Sequence, residues 1–475
     1  MRLGLPRLAW NRRASADEAP VSPPQNTSLL SLKQPLKLLM FAEDWGGLPS
    51  SSQHLATALI AEANIEIIWV NSIGLRRPKP SDLRRLWQKL WMRSHRDKEA
   101  CRVQSLAPTV VISPKLWPLP QWRWSRYFNG RVLAWQLHLQ GVQRTTIDWV
   151  WCALPSAVTL LSLFPQARTI YYVGDDFSAL AGVDHAQIAP LHQQLLTRCQ
   201  LLFCASDTLL QQSYAALLAR LPNTRIASKV FAQPPPYVTL AKILPCWSAV
   251  TPWPQAALLP HGVDLAAFSA PTPWPSELPT RLAKQPIIGF YGSLAEWIDF
   301  SLLHYLAQRF HDCCLVLIGH RGLCPQSLID LPNVYWLPFV AHARLPALVQ
   351  RFCVGLLPFV VNGQIAACDP LKLREYLAAG VPIVSRPFAA LRQYSHGINC
   401  AMEPCAFGDA VARYLHQPPP ATQLQTQVAQ ASWQARAQSI LTYLQPRPHF
   451  CENANTASPW QLTEPANRAK YDGQN

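Results

Sequence analysis

The stretch that most constrains the fold of this chain runs from Asp369 to Ser385 and reads DPLKLREYLAAGVPIVS. Aspartate is a favoured helix N-cap, and proline suits the first helical position because its missing N–H is not needed there. We therefore expect a helix that is capped by Asp369 and begins at Pro370. Gly380 is a natural C-terminal stop, and the apolar residues after it predict a buried strand. A capped helix that leads directly into a buried strand is typical of an α/β domain.

This helix also has a chemical interpretation. The backbone N–H groups of its first turn, near Pro370, Leu371 and Lys372, would lie at the positive end of the helix dipole and could bind a diphosphate. The Lys372 side chain would add a mobile positive charge. Glu375, one turn later, could accept hydrogen bonds from the two vicinal hydroxyls of a ribose. A diphosphate followed by a diol is the layout of a nucleoside diphosphate; the alternative is an ordinary capped helix that binds no ligand.

The chain repeats a strand–helix pattern in two halves. The first half opens with a buried strand, a loop that reads AEDWGGLPSSS, a helix and a second strand, which is a Rossmann-type arrangement. Gly46 and Gly47 in this loop would permit close backbone approach to a ligand, although their spacing is not the dinucleotide-binding fingerprint. Strands are predicted in the first half at 36–41, 65–70, 148–153, 168–173 and 200–204, and in the second half at 286–291, 314–318, 333–336, 353–357 and 381–384.

The basic residues are unevenly distributed along the chain. The formal net charge is +15, and residues 76–131 hold 14 lysines and arginines against three acidic residues, with five tryptophans interleaved. Basic residues combined with interfacial aromatics are typical of a segment that contacts an anionic membrane surface. One alternative is nucleic-acid binding, in which aromatics and arginines stack on bases. The other is a solvated helical face with some tryptophans in the core.

Cysteine usage and hydrophobicity bear on the compartment. The 13 cysteines include no C-x-x-C pair, which favours reduced thiols in a cytosol over a disulfide framework or a zinc site. The N-terminus is basic but lacks the apolar run of a signal peptide. No stretch of about 18 apolar residues occurs, so no bilayer-spanning segment is expected. We expect a protein that is soluble or bound to a membrane surface.

The stretch at Asp369–Ser385 resembles the donor-nucleotide helix of GT-B glycosyltransferases, in which the pattern is P-L-K-x-x-E-Y-L-A-A-G-x-P-V-V. The resemblance is strongest to bacterial family-4-type enzymes that build exopolysaccharides and teichuronic-type polymers. The segment LLPHGVDLAAF at 258–268 is similar to their I-P-N-G-V-D-x-x-x-F segment, and Trp433 with Arg436 resembles their S-W-x-x-R-A segment. The resemblance implies an α/β fold of the GT-B class, with two Rossmann-like, doubly wound domains that face a central cleft and a C-terminal helix that crosses back to the N-terminal domain.

This resemblance also implies a domain organisation. The N-terminal domain would bind the acceptor and the C-terminal domain the nucleotide-sugar donor, with both sites at the carboxyl ends of parallel strands. The expected boundaries are a disordered tail at 1–34, an acceptor domain at 35–260 with a membrane-facing segment at 76–131, a donor domain at 261–422, a cross-over helix at 423–445 and a second tail at 446–475.

Two adjacent acids, Asp175 and Asp176, follow a predicted strand of the first domain in the segment YYVGDDF. By position they resemble the family site at which a histidine often contacts the donor sugar. A carboxylate there could accept a hydrogen bond from a sugar hydroxyl, stabilise a developing oxocarbenium ion or deprotonate the acceptor. The alternative is a helix N-cap and a loop acid. Asp175 is the better candidate, and because the pair lacks D-x-D spacing no divalent metal is expected.

Further candidates lie in the neighbouring loops. Gly46 and Gly47 could shape the cleft by letting backbone amides approach the diphosphate or the acceptor. Glu43 and Asp44, which precede them, and His54 on the following helix could contact the acceptor, although His54 also fits a packed helix residue. Gly292 ends a predicted strand of the second domain, where it would adjoin the donor. Arg321 could add positive charge near the phosphates, or could lie in a plain turn.

The chain departs from the family pattern at two places. Ala367 stands where the family has a glutamate eight residues before the one that matches Glu375, and Asp369 would substitute for it only in part. The segment SLAEWID after Gly292 lacks the family's Arg…Lys pair. Lys372 and the helix N-terminus would therefore have to supply most of the electrostatic stabilisation of the leaving diphosphate.

The sequence thus predicts a retaining, metal-independent glycosyltransferase that moves a hexose-type sugar from a nucleotide-sugar donor to a lipid-linked or polysaccharide acceptor in cell-surface polysaccharide biosynthesis. It would need no cofactor beyond this co-substrate and no nucleic-acid partner, and it would act in the cytoplasm at the inner face of the membrane. A sugar-nucleotide epimerase on the same fold is one alternative, which the basic, tryptophan-rich segment disfavours. A non-catalytic protein that binds nucleotide sugar or glycan is the other, and the two departures favour it.

Overall fold

The computed structural model describes residues 35–47, 50–72, 106–114, 123–219 and 254–444. These residues form two α/β domains, each built around one parallel β-sheet and its own hydrophobic core. The two doubly wound domains expected from the sequence are therefore confirmed. The predicted tails and most of the basic segment at 76–131 lie outside the described residues.

The N-terminal domain contains a seven-stranded sheet in the order β3-β2-β1-β4-β5-β6-β7, in which all neighbouring strands are parallel. Its strands are β1 (Leu36–Phe41), β2 (Ile65–Val70), β3 (Val110–Ile112), β4 (Trp149–Cys152), β5 (Arg168–Val173), β6 (Leu201–Cys204) and β7 (Gln255–Leu258). Its helices are α1 (Ser51–Glu62), α2 (Arg123–Leu139), α3 (His185–Arg198) and α4 (Asp207–Leu218), with 3₁₀ helices at Arg144–Thr146 and Pro155–Leu163. The five predicted strands are confirmed to within one residue because they are buried on both faces and read as continuous apolar runs. The sequence did not predict β3 and β7, which are short edge strands and partly exposed.

The C-terminal domain contains a six-stranded parallel sheet in the order β10-β9-β8-β11-β12-β13. Its strands are β8 (Ile287–Tyr291), β9 (Cys314–Ile318), β10 (Val334–Leu337), β11 (Val354–Leu357), β12 (Ile383–Ser385) and β13 (Ile398–Cys400). The helices of this half are α5 (Leu265–Ser269), α6 (Phe300–Arg309), α7 (Gln326–Ile329), α8 (Leu345–Val349), α9 (Gly363–Ala367), α10 (Leu371–Ala378), α11 (Pro404–His416), α12 (Ala421–Thr426) and α13 (Trp433–Leu444), with 3₁₀ helices at Thr280–Lys284, His342–Arg344 and Ala389–Gln393. The five predicted strands are confirmed to within two residues, and the missed strand, β13, is a three-residue edge strand.

The N-terminus of α10 differs from the prediction. Pro370 occupies the N-cap position with an extended backbone, and no side chain caps the helix. Asp369 instead forms a buried ion pair with Arg374, in which Oδ1 lies 2.8 Å from Nη1. A buried guanidinium needs a counter-charge, and at Asp369 this requirement takes precedence over capping. The C-terminal prediction is confirmed, since Gly380 follows the helix with a φ of +71°.

The chain crosses between the domains twice, and the two crossings lie side by side. Val263 belongs to the first crossing and Ala431 to the second. The backbone N–H of Val263 donates a hydrogen bond to the carbonyl of Ala431, 2.8 Å away. After this contact α13 packs on α1 and contributes its apolar face to the core of the N-terminal domain. The single cross-over helix expected at 423–445 is thus divided into α12 and α13, and only α13 crosses back.

Candidate active site

A cavity of about 440 Å³ lies between the two domains, where the carboxyl ends of both parallel sheets meet. Its volume is within the range of small-molecule sites, and its position is the one at which open α/β sheets bind ligands. The residues that line it from the first domain, here called the N-terminal wall, include Glu43, Ser50, Ser51, Tyr172, Gly174 and Asp175. Those that line it from the second domain, here called the C-terminal wall, include Trp297, Phe359, Gln364, Pro370, Leu371 and Lys372.

Lys372 supplies the positive charge of the C-terminal wall. Its Nζ lies 5.6 Å from the ring centroids of Phe290 and Phe359 and 5.9 Å from that of Tyr291, in cation–π geometry. Burial lowers the pKa of Lys372. Within the described parts of the chain, none of the ion pairs includes this ammonium group. An ammonium held against aromatic rings beside the first turn of α10 is well placed to bind an anion.

Gly292 keeps space open beside the Lys372 amine. Its φ of +131° favours glycine, and a Cβ there would lie only 3.3 Å from Lys372 Nζ. Gly319 packs directly on it, since a Cβ at Gly319 would overlap the Gly292 carbonyl oxygen. Arg321 does not line the cavity, and its guanidinium donates to the side chain of Gln326. In this conformation Arg321 therefore fits the plain-turn alternative.

Glu375 is buried beneath the C-terminal wall and does not line the cavity. Its Oε2 accepts a hydrogen bond from the Tyr291 hydroxyl, and its Oε1 lies 2.7 Å from Nε2 of His342. Burial opposes the charged form of both groups, yet their mutual hydrogen bond and attraction lower the pKa of Glu375 and raise that of His342. A ribose could therefore reach this carboxylate only if it replaced the contact with His342.

Asp175 supplies negative charge on the N-terminal wall. Its side chain lines the cavity at the start of the loop after β5, and no hydrogen bond of this carboxylate is found within the described residues. The side chain is exposed to solvent within the cavity, and the neighbouring walls desolvate it only in part. This desolvation, together with the nearby charges of Glu43 and Asp176, raises its pKa to about 6. A carboxyl group with a pKa near neutral pH, in a cavity between two domains, is a candidate catalytic group.

Asp176 has a different environment from its neighbour. Its Oδ1 accepts hydrogen bonds from the backbone N–H of Ser178, at 2.9 Å, and from the Ser178 hydroxyl. Its Oδ2 accepts a hydrogen bond from Gln212 at 3.4 Å. Asp176 does not line the interdomain cavity, so the structure separates the two predicted acids and gives Asp176 the loop-stabilising contacts of the alternative interpretation.

Three more side chains belong to the site: Glu43, which the sequence indicated only as a possible acceptor contact, and His261 and His342, which it did not indicate. Glu43 lines the cavity and accepts a hydrogen bond from Ser50 Oγ at 3.0 Å. His261 lines it too, and its Nδ1 lies 2.7 Å from Ser51 Oγ, while burial lowers its pKa to about 4. The third is His342, the partner of Glu375. Each of the three lies in a loop that follows a strand, which is the one signal that could have indicated them.

Three predicted cleft residues lie outside the cavity. Gly46 adopts a φ of +75° and donates its N–H to Gln53 Oε1 at 3.3 Å, and Gly47 closes the same turn on Asp44. The His54 ring stacks on Trp433 with centroids 4.8 Å apart, and burial, the largest cause, lowers its pKa to about 4. His54 thus has the environment of a packed helix residue, at the contact between α1 and α13.

The described residues show neither a metal-binding cluster nor a helix that could cross a membrane. They contain no group of three or more histidine, cysteine, aspartate or glutamate side chains arranged to hold a metal ion. Among the helices that the structure describes, none is both long and apolar enough to cross a bilayer.

Comparison with known proteins supports the architecture. No protein-family model matches the chain. A Bacillus subtilis protein named "Putative teichuronic acid biosynthesis glycosyltransferase TuaH" is 28% identical over 128 residues, which cover 26% of this chain and 32% of that protein. The alignment therefore spans about a third of that relative's length.

The solved structures that resemble 86% of this chain include the following two. One, from Anabaena, is HepE in complex with UDP and glucose, with a TM-score of 0.54 and 12% identity, covering 86% of this chain and 99% of the other. The second is titled "Trehalose-6-phosphate from E. coli bound with UDP-2-fluoro glucose", with a TM-score of 0.54 and 15% identity, covering 86% of this chain and 98% of the other. These similarities confirm the two-domain GT-B fold that the sequence resemblance implied.

Proposed function

We propose that the protein is a glycosyltransferase that binds a nucleotide sugar in the interdomain cavity and transfers the sugar to a glycan acceptor. The observation that carries this proposal is the opposite charge of the two walls. Lys372 and the first turn of α10 lie on one wall, and Asp175 lies on the other. A nucleotide sugar needs this arrangement, because its diphosphate is anionic while its sugar carbon becomes positively charged as the bond to the diphosphate breaks.

The compared proteins support the choice of donor. HepE was solved with UDP and glucose, and the Escherichia coli neighbour with UDP-2-fluoro glucose. For this chain we infer a donor of the same class, a nucleoside diphosphate sugar with a hexose-type sugar. The name of the Bacillus relative supports a role in cell-surface polysaccharide synthesis, with a polysaccharide or lipid-linked glycan as acceptor.

In the proposed mechanism, charge develops on both sides of the bond that breaks. The leaving diphosphate gains negative charge, which Lys372 and the free N–H groups at the start of α10 would stabilise from fixed positions. The anomeric carbon gains positive charge, which the carboxylate of Asp175 would stabilise, or Asp175 would hold a sugar hydroxyl. We further propose that the reaction retains the anomeric configuration and requires no metal.

The proposed ribose contact requires a local rearrangement. Glu375 is hydrogen-bonded to His342, which belongs to the loop after β10 and also lies near α1, with its ring centroid 5.2 Å from that of His54. Two ribose hydroxyls would replace the His342 contact at the Glu375 carboxylate. Donor binding would thus displace His342 and loosen its contact with the N-terminal domain.

Nucleotide binding tests the proposed donor site. We expect one of UDP, GDP, ADP and TDP to raise the melting temperature of the purified protein, since a ligand at a hundred times its Kd stabilises the folded state by about 2.7 kcal/mol. Glu375→Gln should lose most of this shift because the amide offers one acceptor oxygen to the diol, where the carboxylate offers two. The exposed Glu403→Gln is the matched control. If no nucleotide shifts the wild-type protein, the donor site is wrongly assigned.

Nucleotide binding alone does not separate the three functional classes. An epimerase would convert a sugar nucleotide in the absence of an acceptor. A non-catalytic binding protein would bind the nucleotide sugar but release no nucleoside diphosphate with any acceptor preparation. Ala367 and the lack of basic residues after Gly292 favour this last class. Release of nucleoside diphosphate that depends on a membrane-lipid or glycan extract is the result that favours the transferase.

We also propose that the protein acts in the cytoplasm, at the inner face of the membrane, through the exposed face of α2. The aromatic side chains of Trp124, Tyr127, Phe128 and Trp135 are between 50% and 68% exposed. Their spacing places them on one side of the helix, together with Arg131. The helix contains no acidic residue. Aromatic side chains flanked by arginines suit the headgroup region of an anionic bilayer.

Vesicle binding tests this membrane face. We expect the wild-type protein to bind vesicles of phosphatidylglycerol and phosphatidylcholine, to bind phosphatidylcholine vesicles weakly, and to dissociate as salt is added. The double variant Phe128→Ala/Trp135→Ala should bind the anionic vesicles about tenfold more weakly, because it buries less apolar area. Phe339→Ala, which removes an exposed aromatic from the other domain, should bind like the wild type. Equal binding of the double variant, or binding of RNA in preference to vesicles, would contradict the proposal.

A further inference from the structure

The charges around the interdomain cavity also bear on which sugar it accepts. Two carboxylates of the N-terminal wall, Glu43 and Asp175, line the cavity. No lysine or arginine of the first domain is among the described residues that line it. His261 is held neutral at neutral pH, because burial lowers its pKa to about 4. The N-terminal wall is therefore acidic and has no compensating cation within its described lining.

Of the two carboxylates, Glu43 is fixed by a hydrogen bond, while none is found for Asp175 among the described residues. Glu43 accepts a hydrogen bond from Ser50 Oγ at 3.0 Å, and its backbone carbonyl accepts one from Trp69 Nε1 at 2.9 Å. Asp175 is close enough to Glu43 for the second charge to contribute to its raised pKa. The neighbouring acid Asp44 does not belong to this pair, since it accepts hydrogen bonds from the Ser72 backbone and hydroxyl and does not line the cavity.

The C-terminal wall has the opposite balance. Asp369 lines the cavity, but its charge is offset by Arg374 at 2.8 Å, and both side chains are buried. Among the described residues that line the cavity, Lys372 is the one lysine or arginine, and its ammonium group forms no ion pair with a carboxylate in the described parts of the chain. In the proposed function this ammonium binds the diphosphate, so it is not available to neutralise a charge on the sugar.

We propose that the cavity selects its donor by the charge of the transferred sugar: it accepts nucleotide donors of neutral or amino sugars and excludes those of uronic acids. This inference rests on the proposed function. Because the sugar is bonded to the diphosphate on the C-terminal wall, it lies against the N-terminal wall. There the hydroxyls of a neutral sugar donate hydrogen bonds to Glu43 and Asp175, and an ammonium group gains attraction. A hexuronate would bring a third carboxylate beside these two, against a wall whose described lining has no lysine or arginine to offset it, and the like charges would repel.

Binding measurements by calorimetry test this inference. The nucleotide screen first selects the base. We then compare the Kd of the nucleoside diphosphate with the Kd values of its hexose, hexosamine and hexuronate conjugates. If the base is uracil, the four ligands are UDP, UDP-glucose, UDP-glucosamine and UDP-glucuronate. We expect the glucuronate conjugate to bind at least about tenfold more weakly than the glucose conjugate. Glu43→Gln should narrow this ratio by relieving part of the repulsion. Asp312→Asn, which removes an exposed acid far from the chemistry, should leave the ratio unchanged.

The outcomes separate this inference from the proposed function. If the glucuronate conjugate binds as tightly as the glucose conjugate, the charge selection is overturned while the donor site stands. A Glu43→Gln variant that folds, as judged by its melting temperature, and keeps the wild-type ratio also overturns it. If no nucleoside diphosphate binds with any of the four bases, and no sugar conjugate of one binds, the proposed function is wrong. The inference about the sugar is then wrong as well.

Discussion

Replacing Lys372 with methionine is expected to weaken the binding of a nucleotide sugar about tenfold to a hundredfold, because a charge-assisted contact with the diphosphate is lost. The turnover rate should fall further, since the same ammonium stabilises the charge that develops on the leaving diphosphate; loss of one such group typically costs about a hundredfold to a thousandfold. Methionine lacks the terminal amine of lysine, and its flexible apolar chain can still pack near the aromatic rings of Phe290 and Phe359. The variant should therefore fold like the wild type.

Two controls make the Lys372 measurement specific. Lys284→Met removes an exposed lysine from the same domain and should bind donor like the wild type. Binding of the free nucleoside, which has no phosphate, should be nearly the same for wild type and Lys372→Met. If Lys372→Met binds the nucleotide sugar as tightly as the wild type, the diphosphate does not lie on the C-terminal wall.

Asp175→Asn should lower the rate of transfer by about a hundredfold to a thousandfold, the range for loss of one group that stabilises charge in the transition state. The pH dependence gives a second readout. The pKa of Asp175 is raised to about 6, so the carboxylate form that the mechanism uses is present above pH 6 and is lost by protonation as the pH falls below it. Wild-type kcat/KM should therefore decrease as the pH is lowered through about 6.

The Asp175 variant should lack this decrease, because asparagine does not titrate. Initial rates of nucleoside diphosphate release, measured from pH 5 to pH 8 for wild type, Asp175→Asn and the control Asp312→Asn, check both parts of the prediction. A variant with near wild-type rates would exclude a catalytic role for Asp175. A variant that is slow but keeps the wild-type pH profile would show that another group titrates.

Much of the fold could be predicted from the sequence because parallel strands buried on both faces read as apolar runs. The interior strands of both sheets were found this way, while edge strands such as β7 and β13, which are short and half-buried, have no such pattern. The start of α10 was predicted wrongly for a different reason. Whether Asp369 caps the helix depends on Arg374, and nothing local indicates that this arginine is buried.

The candidate site could be predicted in part. Asp175 and Lys372 lie nearly two hundred residues apart, yet both follow the rule that ligands lie at the carboxyl ends of strands, and the structure places both on one cavity. The partners of these groups could not be predicted in the same way. Glu43 lies near Asp175, His261 contacts Ser51 and His342 contacts Glu375. Each pair is far apart in the sequence, and its proximity depends on the tertiary fold of its domain, which local patterns do not give.

In the proposed site the diphosphate lies on the C-terminal wall and the reacting sugar on the N-terminal wall. The measurement that tests this placement most directly is the Kd of one sugar nucleotide for the wild type, Lys372→Met and Asp175→Asn, determined side by side by calorimetry. We expect Lys372→Met to bind the sugar nucleotide much more weakly than the wild type does. Asp175→Asn should bind it about as tightly as the wild type but transfer the sugar much more slowly. Wild-type affinity in Lys372→Met would contradict this placement.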